Sequence, residues 1–365
     1  MTDRQDDVAV LMLGEHLDRP GGVVTVQKLI LVHAPDEIRI AHLPTLIDGP
    51  SLAKLAVFAK TILRMMVRLL TERVDLLHIH VSTGGSVYRQ TVTALIALAF
   101  RQKVIMHCHS GKFPSFFSRQ PRPIRAAVAA VFKRCHRLIV VSHHWEAFYA
   151  ETLGIARDRI IVMQNPVALP ADPGMRMVTS PVKMLFLGQV NEAKGVFDLI
   201  RAIAIVAEKM RDHLHVTIAG HGDLAPAKAL VDQLGIAANV TFPGWVGPEQ
   251  RDAYLAQSDV FLLPSYFEGL PMSLLEAMSW GLPSIATSVG GIPDVLDDDV
   301  EGLLIEPGDI DALAAAILGM IDDPAIRQRL GRAARRRIEP LDIKPYITNL
   351  GLIYRKTTRQ ECLSA

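Results

Sequence analysis

The chain has 365 residues, half of them apolar, and a formal net charge of +1 at pH 7. That length exceeds one ordinary core and predicts two domains of roughly 150–180 residues each. Three cysteines without a C-x-x-C pair exclude a disulfide framework or a zinc ribbon and suit a reducing cytoplasm.

The N-terminus, MTDRQDDVAV, is acidic and runs straight into a strand, so no signal peptide is expected. Apolar runs reach about ten residues, half of what a bilayer span needs. In chain order, VAVLML (8–13), DLLHIHV (75–81), KVIMHCH (103–109), RLIVVS (137–142) and RIIVMQN (159–165) read as buried strands. A second set follows at 182–188, 214–220, 239–244, 259–265 and 282–288. Helical patterns such as 196–212 separate them. Strand–helix alternation predicts an α/β chain of two Rossmann-like, doubly wound parallel sheets, with ligands beyond the carboxyl ends of the strands in a cleft. The Pro/Gly-rich stretch 168–183 is the linker candidate. The expected division is an N-terminal domain 1–172, a C-terminal domain 173–340 and a last helix within 341–365 that returns to the first domain.

Charge is unevenly divided. Residues 1–172 carry 21 Lys/Arg against 14 Asp/Glu, and no acid occurs from Leu76 to Trp145, where ten basic residues lie. Segment 51–73 is amphipathic, with Lys60, Arg64 and Arg68 at i, i+4, i+8. Segment 111–134 adds Phe113, Phe116, Phe117 and more cations. A core helix with one wet face is the plain reading of 51–73; an anionic membrane surface is the functional one. No nucleic-acid motif accompanies the charge. His78-x-His80 and His107-x-His109 lie at strand ends; a metal site there would need a third ligand and a second shell, and no metal or cofactor is expected.

The most informative stretch is FEGLPMSLLEAMSWG (267–281). A strand ends before it, Gly269 permits a turn, and Gly281 suits the end of a helix. Glu268 then lies in the loop and Glu276 in the helix, with the free N–H groups near Gly269, Leu270 and Met272 between them, an anion site. A ligand with hydroxyls at both ends and phosphates between would satisfy all three; pairing of Glu276 with a buried arginine is the structural alternative. A second loop, FLGQVNEAKGVFDLI (186–200), brings Lys194-Gly195 to a strand–helix junction, where a lysine meets phosphate oxygens.

E-x(7)-E preceded by a G-x(5)-K-G loop resembles the family-four retaining glycosyltransferases of GT-B fold. AGHGDL (219–224), VTFPGWV (240–246), SVGGIPDVL (288–296) and GLLIEPGD (302–309) extend the resemblance, and PGGV (20–23), MHCHSG (106–111) and MQNPV (163–167) match more loosely. The resemblance implies a metal-independent enzyme moving a hexosyl group from a UDP- or GDP-sugar to a saccharide acceptor, with front-face attack and retention. Glu276 would bind the ribose, Glu268 the donor sugar and Lys194 the diphosphate. Gly188, Gln189, Gly269 and Leu270 would complete that wall. Gly21 and Gly22 would let backbone approach the phosphates, and His109 would reach the sugar. Gln189 departs from the family, which usually has arginine there; glutamine keeps a hydrogen bond but no charge, unless Arg89 or Lys112 reaches across. The basic, aromatic N-terminal half suits a lipid-linked acceptor in polysaccharide or lipopolysaccharide assembly, with the protein cytoplasmic and peripheral on the inner membrane face. The alternatives are a nucleotide-sugar epimerase, which the paired glutamates oppose, and a binding module that has lost turnover.

Overall fold

The computed structural model describes residues 7–174 and 180–359. The chain divides into two units: the chain up to Pro166 together with residues from Ile343 on, and Val167–Asp342. Residues 175–179 of the expected linker lie outside the described residues.

Unit 1 runs β1 (Val8–Glu15), α1 (Gly22–His33), β2 (Ile38–Leu46), α2 (Ser51–Thr71), β3 (Leu76–Val81), α3 (Gly85–Ala99), β4 (Val104–Cys108), α4 (Phe113–Ser118), α5 (Arg122–Arg134), β5 (Arg137–Val140), α6 (His143–Leu153) and β6 (Ile160–Val162). Its strands form one six-stranded sheet in the order β2-β1-β3-β4-β5-β6, with every pair parallel. β3 and β4 are buried along their whole length, as central strands covered on both faces must be. The order reverses between β1 and β3. Right-handed crossovers therefore place α1 on one face of the sheet and α2, α3 and α5 on the other.

Unit 2 repeats the plan with β7 (Val182–Leu187), α7 (Val196–Met210), β8 (Leu214–Ala219), α8 (Leu224–Gln233), β9 (Val240–Gly244), α9 (Pro248–Gln257), β10 (Val260–Leu263), α10 (Met272–Ser279), β11 (Ser284–Thr287), β12 (Gly302–Ile305), α11 (Ile310–Asp322) and α12 (Pro324–Ile338). Its sheet order is β12-β11-β10-β7-β8-β9, reversing between β7 and β10. α7 shows why the pattern folds as it does: Val196, Leu199, Ile200, Ile203 and Val206 share one buried stripe, the 3.6-residue period of a helix lying on a sheet. Asp309 caps α11, its Oδ1 accepting from Ala312 N at 2.8 Å. In the acidic turn, Asp298 accepts from Leu304 N and Asp299 pairs with Arg329, both structural bonds.

The last helix, α13 (Ile343–Arg359), belongs to unit 1. It packs on α1, β1 and β3, burying Tyr346, Ile347, Leu350 and Tyr354. β2 and β12, both outermost strands, are additions to the sequence reading. An edge strand is covered less completely, so β2 (IRIAHLPTL) alternates and carries a proline where a central strand would be continuously apolar.

Candidate active site

In open parallel sheets, ligands sit beyond the strand carboxyl ends where the order reverses. In unit 2 that point lies between β7 and β10, and the loops following these two strands hold Lys194 and Glu268.

After β7, Gly188 and Gln189 lead into a single 3-10 turn, Glu192–Lys194, capped by Asn191, whose Oδ1 accepts from Lys194 N at 3.0 Å. Gly195 adopts φ +67, and a Cβ there would lie 1.9 Å from Pro264 O. Only glycine fits, because the loop after β7 is pressed against the loop after β10. Tyr266 reinforces that contact: its N–H donates to Ala193 O at 3.0 Å and its hydroxyl to Asp198 Oδ2 at 2.7 Å. Gly195→Ala is therefore expected to destabilise the chain by on the order of 3 kcal/mol, read as a fall in the urea midpoint.

Lys194 Nζ donates to Glu268 Oε1 at 2.6 Å. Glu268 is 7% exposed and Lys194 26%, so the carboxylate is held inside while the ammonium keeps a wet side. Gly290, at φ +59, packs beneath: its Cβ would lie 2.0 Å from Glu268 O, and Gly291 N donates to Gly269 O at 2.7 Å. The turn after β11 thus fixes the loop carrying Glu268, Gly269 and the buried Leu270. α10 begins at Met272, so Glu276 stands one turn in; the helix closes with Gly281 at φ +69 and Leu282 N bonded to Ala277 O.

The partner of Glu276 comes from α9. Arg251 donates to Glu276 Oε1 at 2.7 Å and also holds Asp252 at 2.8 Å. The structural alternative weighed from the sequence, an arginine on Glu276, is thus present, although Arg251 is 28% exposed and not buried. It uses one of the two carboxylate oxygens. No local pattern marks Arg251, 25 residues upstream; the only signal is that a buried carboxylate needs a partner. Burial pushes the Glu276 carboxyl up to about 7 from 4.5, against the opposing pull of Arg251 and with a small further push from Asp252. A carboxyl raised on folding stabilises the fold at low pH, and that contribution is lost as pH rises from 4.5 through about 7. Glu276→Gln, which cannot ionise, should flatten the melting-temperature profile across that window; an unchanged slope would assign the pH dependence elsewhere.

Gln189 sits in a neutral network, with Nε2 3.4 Å from His221 Nε2 and Oε1 accepting from Asn191 Nδ2 at 3.3 Å. The cation at this wall is Lys194.

Unit 1 brings Gly21, Gly22 and His109 to the carboxyl edge of its own sheet. Gly21, at φ +142, is the N-cap of α1, and Arg19 before it pairs with Glu15 and with Asp48. His109 follows β4. The ladder sets His80 opposite His107, so four imidazoles stack on one face. His80 Nδ1 lies 2.9 Å from His109 Nε2, His78 Nε2 lies 3.2 Å from His107 Nδ1, and His78 Nδ1 lies 2.6 Å from the Tyr354 hydroxyl of α13. Burial holds His78 and His109 down to about 3 and His80 and His107 well below the usual value, so the stack is neutral. The third ligand that a metal site would need is within reach: His78, His80 and His107 bring ring nitrogens within 4.8 Å of one another. His78 is already engaged at both nitrogens, however, and the group contains no carboxylate to offset a buried cation.

Comparison with known proteins agrees with this geometry. Residues 7–169 match the sequence family described as Glycosyltransferase Family 4, and residues 176–337 match Glycosyl transferases group 1. The chain belongs to the glycosyltransferase family that these two models together describe. Within this family, the chain is 29% identical to glycogen synthase of Mycobacterium tuberculosis over 69% of its own length and 61% of that enzyme. It is 33% identical to the amylovoran biosynthesis glycosyltransferase AmsK of Erwinia amylovora over 44% of its length and 40% of that protein. The chain thus spans less than two thirds of these relatives. The solved structure of HepE from Anabaena in complex with UDP and glucose superposes with a TM-score of 0.75 at 17% identity, covering 94% of this chain and 98% of that one. That likeness shows the fold, two Rossmann-like domains of the GT-B class.

Proposed function

We propose that this chain transfers a hexosyl group from a nucleotide-diphosphate sugar to a saccharide acceptor, with retention at the anomeric carbon and without a metal. The observation that carries this is the Lys194–Glu268 pair at the unit 2 switch point, with α10 beginning beside it and Glu276 one turn in. Lys194 keeps N–H donors beyond the one given to Glu268, and these meet the diphosphate beside the positive N-terminal end of α10. Glu268 fixes the ammonium and offers its second oxygen to the donor sugar. Glu276 offers Oε2 to the ribose, Oε1 being taken by Arg251. The leaving diphosphate takes the acceptor's proton as the new bond forms on the same face; the protein contributes position and charge. Within the first unit, Gly21 and Gly22 are assigned to close backbone approach by the phosphates and His109 to the sugar, and the basic N-terminal unit to the acceptor. HepE's complex with UDP and glucose and the role named for AmsK support a UDP-sugar donor and polysaccharide assembly. A lipid-linked acceptor at the inner face of the cell membrane is part of the same reading.

The test is incubation with UDP-, GDP- and ADP-glucose, with chelator and with a lipid-linked saccharide, and NMR of the product's anomeric proton. An α-linked product from an α-donor supports the reading. An isomerised sugar nucleotide formed from donor alone would replace it with an epimerase; inversion would refute the retaining mechanism.

A further inference from the structure

α2 has two apolar faces, and only one of them is covered. On the inner side Thr61 donates to Pro44 O at 2.6 Å and Met65 is fully buried, seating the helix against β2. On the outer side Leu52, Leu63 and Leu70 are 81%, 58% and 73% exposed, with Leu55 and Val67 beside them. The row 52, 56, 59, 63, 67, 70 keeps a spacing of three and four, one straight stripe. It runs about 27 Å at 1.5 Å per residue. Lys60, Arg64 and Arg68 line the border between the two faces, and α2 holds no acidic residue. α3, in the same layer, turns out a second row, Tyr88, Val92 and Leu95. Beyond it α5, which packs on α3, carries Arg122, Arg125, Lys133 and Arg134 in the acid-free stretch. No helix among the described residues is long and apolar enough to cross a membrane.

We infer that the outer face of α2 and α3 is the surface by which this chain lies on an anionic lipid bilayer. The leucine row enters the acyl boundary and the bordering cations meet the headgroups, the arrangement of an interfacial helix. A second copy is a poorer occupant: an antiparallel two-fold contact along this row would set Lys60, Arg64 and Arg68 against their own equivalents. The surface deepens the membrane-borne acceptor reading above, but its readout is vesicle binding and does not depend on transfer.

The test is flotation of the full chain with phosphatidylcholine vesicles, with and without phosphatidylglycerol. The wild type should bind the anionic vesicles, less so in high salt, and bind neutral ones weakly. Combining Lys60→Gln, Arg64→Gln and Arg68→Gln should cost on the order of a hundredfold in affinity for anionic vesicles. Leu63→Gln with Leu70→Gln, which touches no core residue, should abolish binding while the thermal melt stays unchanged. Failure of the wild type to float, or undiminished binding by both variants, overturns the proposal. So does a wild-type dimer in sedimentation that the leucine variant dissolves, since the face would then belong to a second copy.

Discussion

Glu276→Ala should leave a chain whose melting temperature no longer responds to any sugar nucleotide. A donor present at 100 times its dissociation constant adds about 2.7 kcal/mol to a protein that binds it only when folded. For domains of this size that is a rise of roughly 5–10 °C. The wild type should show it with one of the UDP-, GDP- or ADP-sugars and thereby identify the base. The variant's own melt will also move, because Arg251 loses the carboxylate at 2.7 Å that balances it. The quantity to compare is therefore the ligand-induced shift. A variant that responds like the wild type would remove Glu276 from the ribose and leave it as the structural partner of Arg251.

Lys194→Gln should fold and bind acceptor but lose turnover, kcat falling on the order of 10²–10³-fold, as when a single preorganised donor to a developing negative charge is removed. Glutamine is chosen because it keeps an N–H for Glu268, which is 7% exposed and would otherwise be left uncompensated. The expected split is a large fall in kcat with a smaller rise in the KM for donor, since the diphosphate's charge grows toward the transition state. Retention of more than a third of wild-type kcat would move diphosphate stabilisation to other groups. Gln189, bonded to His221 and Asn191, carries no charge of its own with which to mask the loss.

The sheet architecture was legible because central parallel strands must be apolar throughout, and such runs survive in any single sequence. β2 and β12 escaped because an edge strand does not need that signature. The unit 2 site was legible for a related reason. Lys194, Glu268 and Glu276 each follow a readable strand, glycines at 195 and 290 mark turns with no room for a Cβ, and Gly281 marks a helix end at positive φ. Arg251 was not legible, since it reaches Glu276 across space from another helix. The imidazole stack shows the same limit. Each His-x-His pair is visible, but that His80 faces His107 depends on a register set by the whole sheet. The outward row of α2 is periodic in the sequence; which of its two faces the sheet covers is a tertiary fact.

The Tyr354–His78 bond joins residues 276 positions apart, and through α13 the first unit is finished by a segment made only after the whole second unit. During synthesis the second unit, continuous from Val167 to Asp342, emerges and can close by itself. The first must wait with the α1 side of its sheet uncovered until α13 leaves the ribosome, which at about 5–20 residues per second is a delay of ten seconds or more. For that interval the nascent N-terminal half exposes the apolar surface that α13 later covers, the kind of surface that makes a partly folded chain prone to aggregate. A nonsense mutation anywhere after Asp342 would spare the later half of the protein and strand the earlier one.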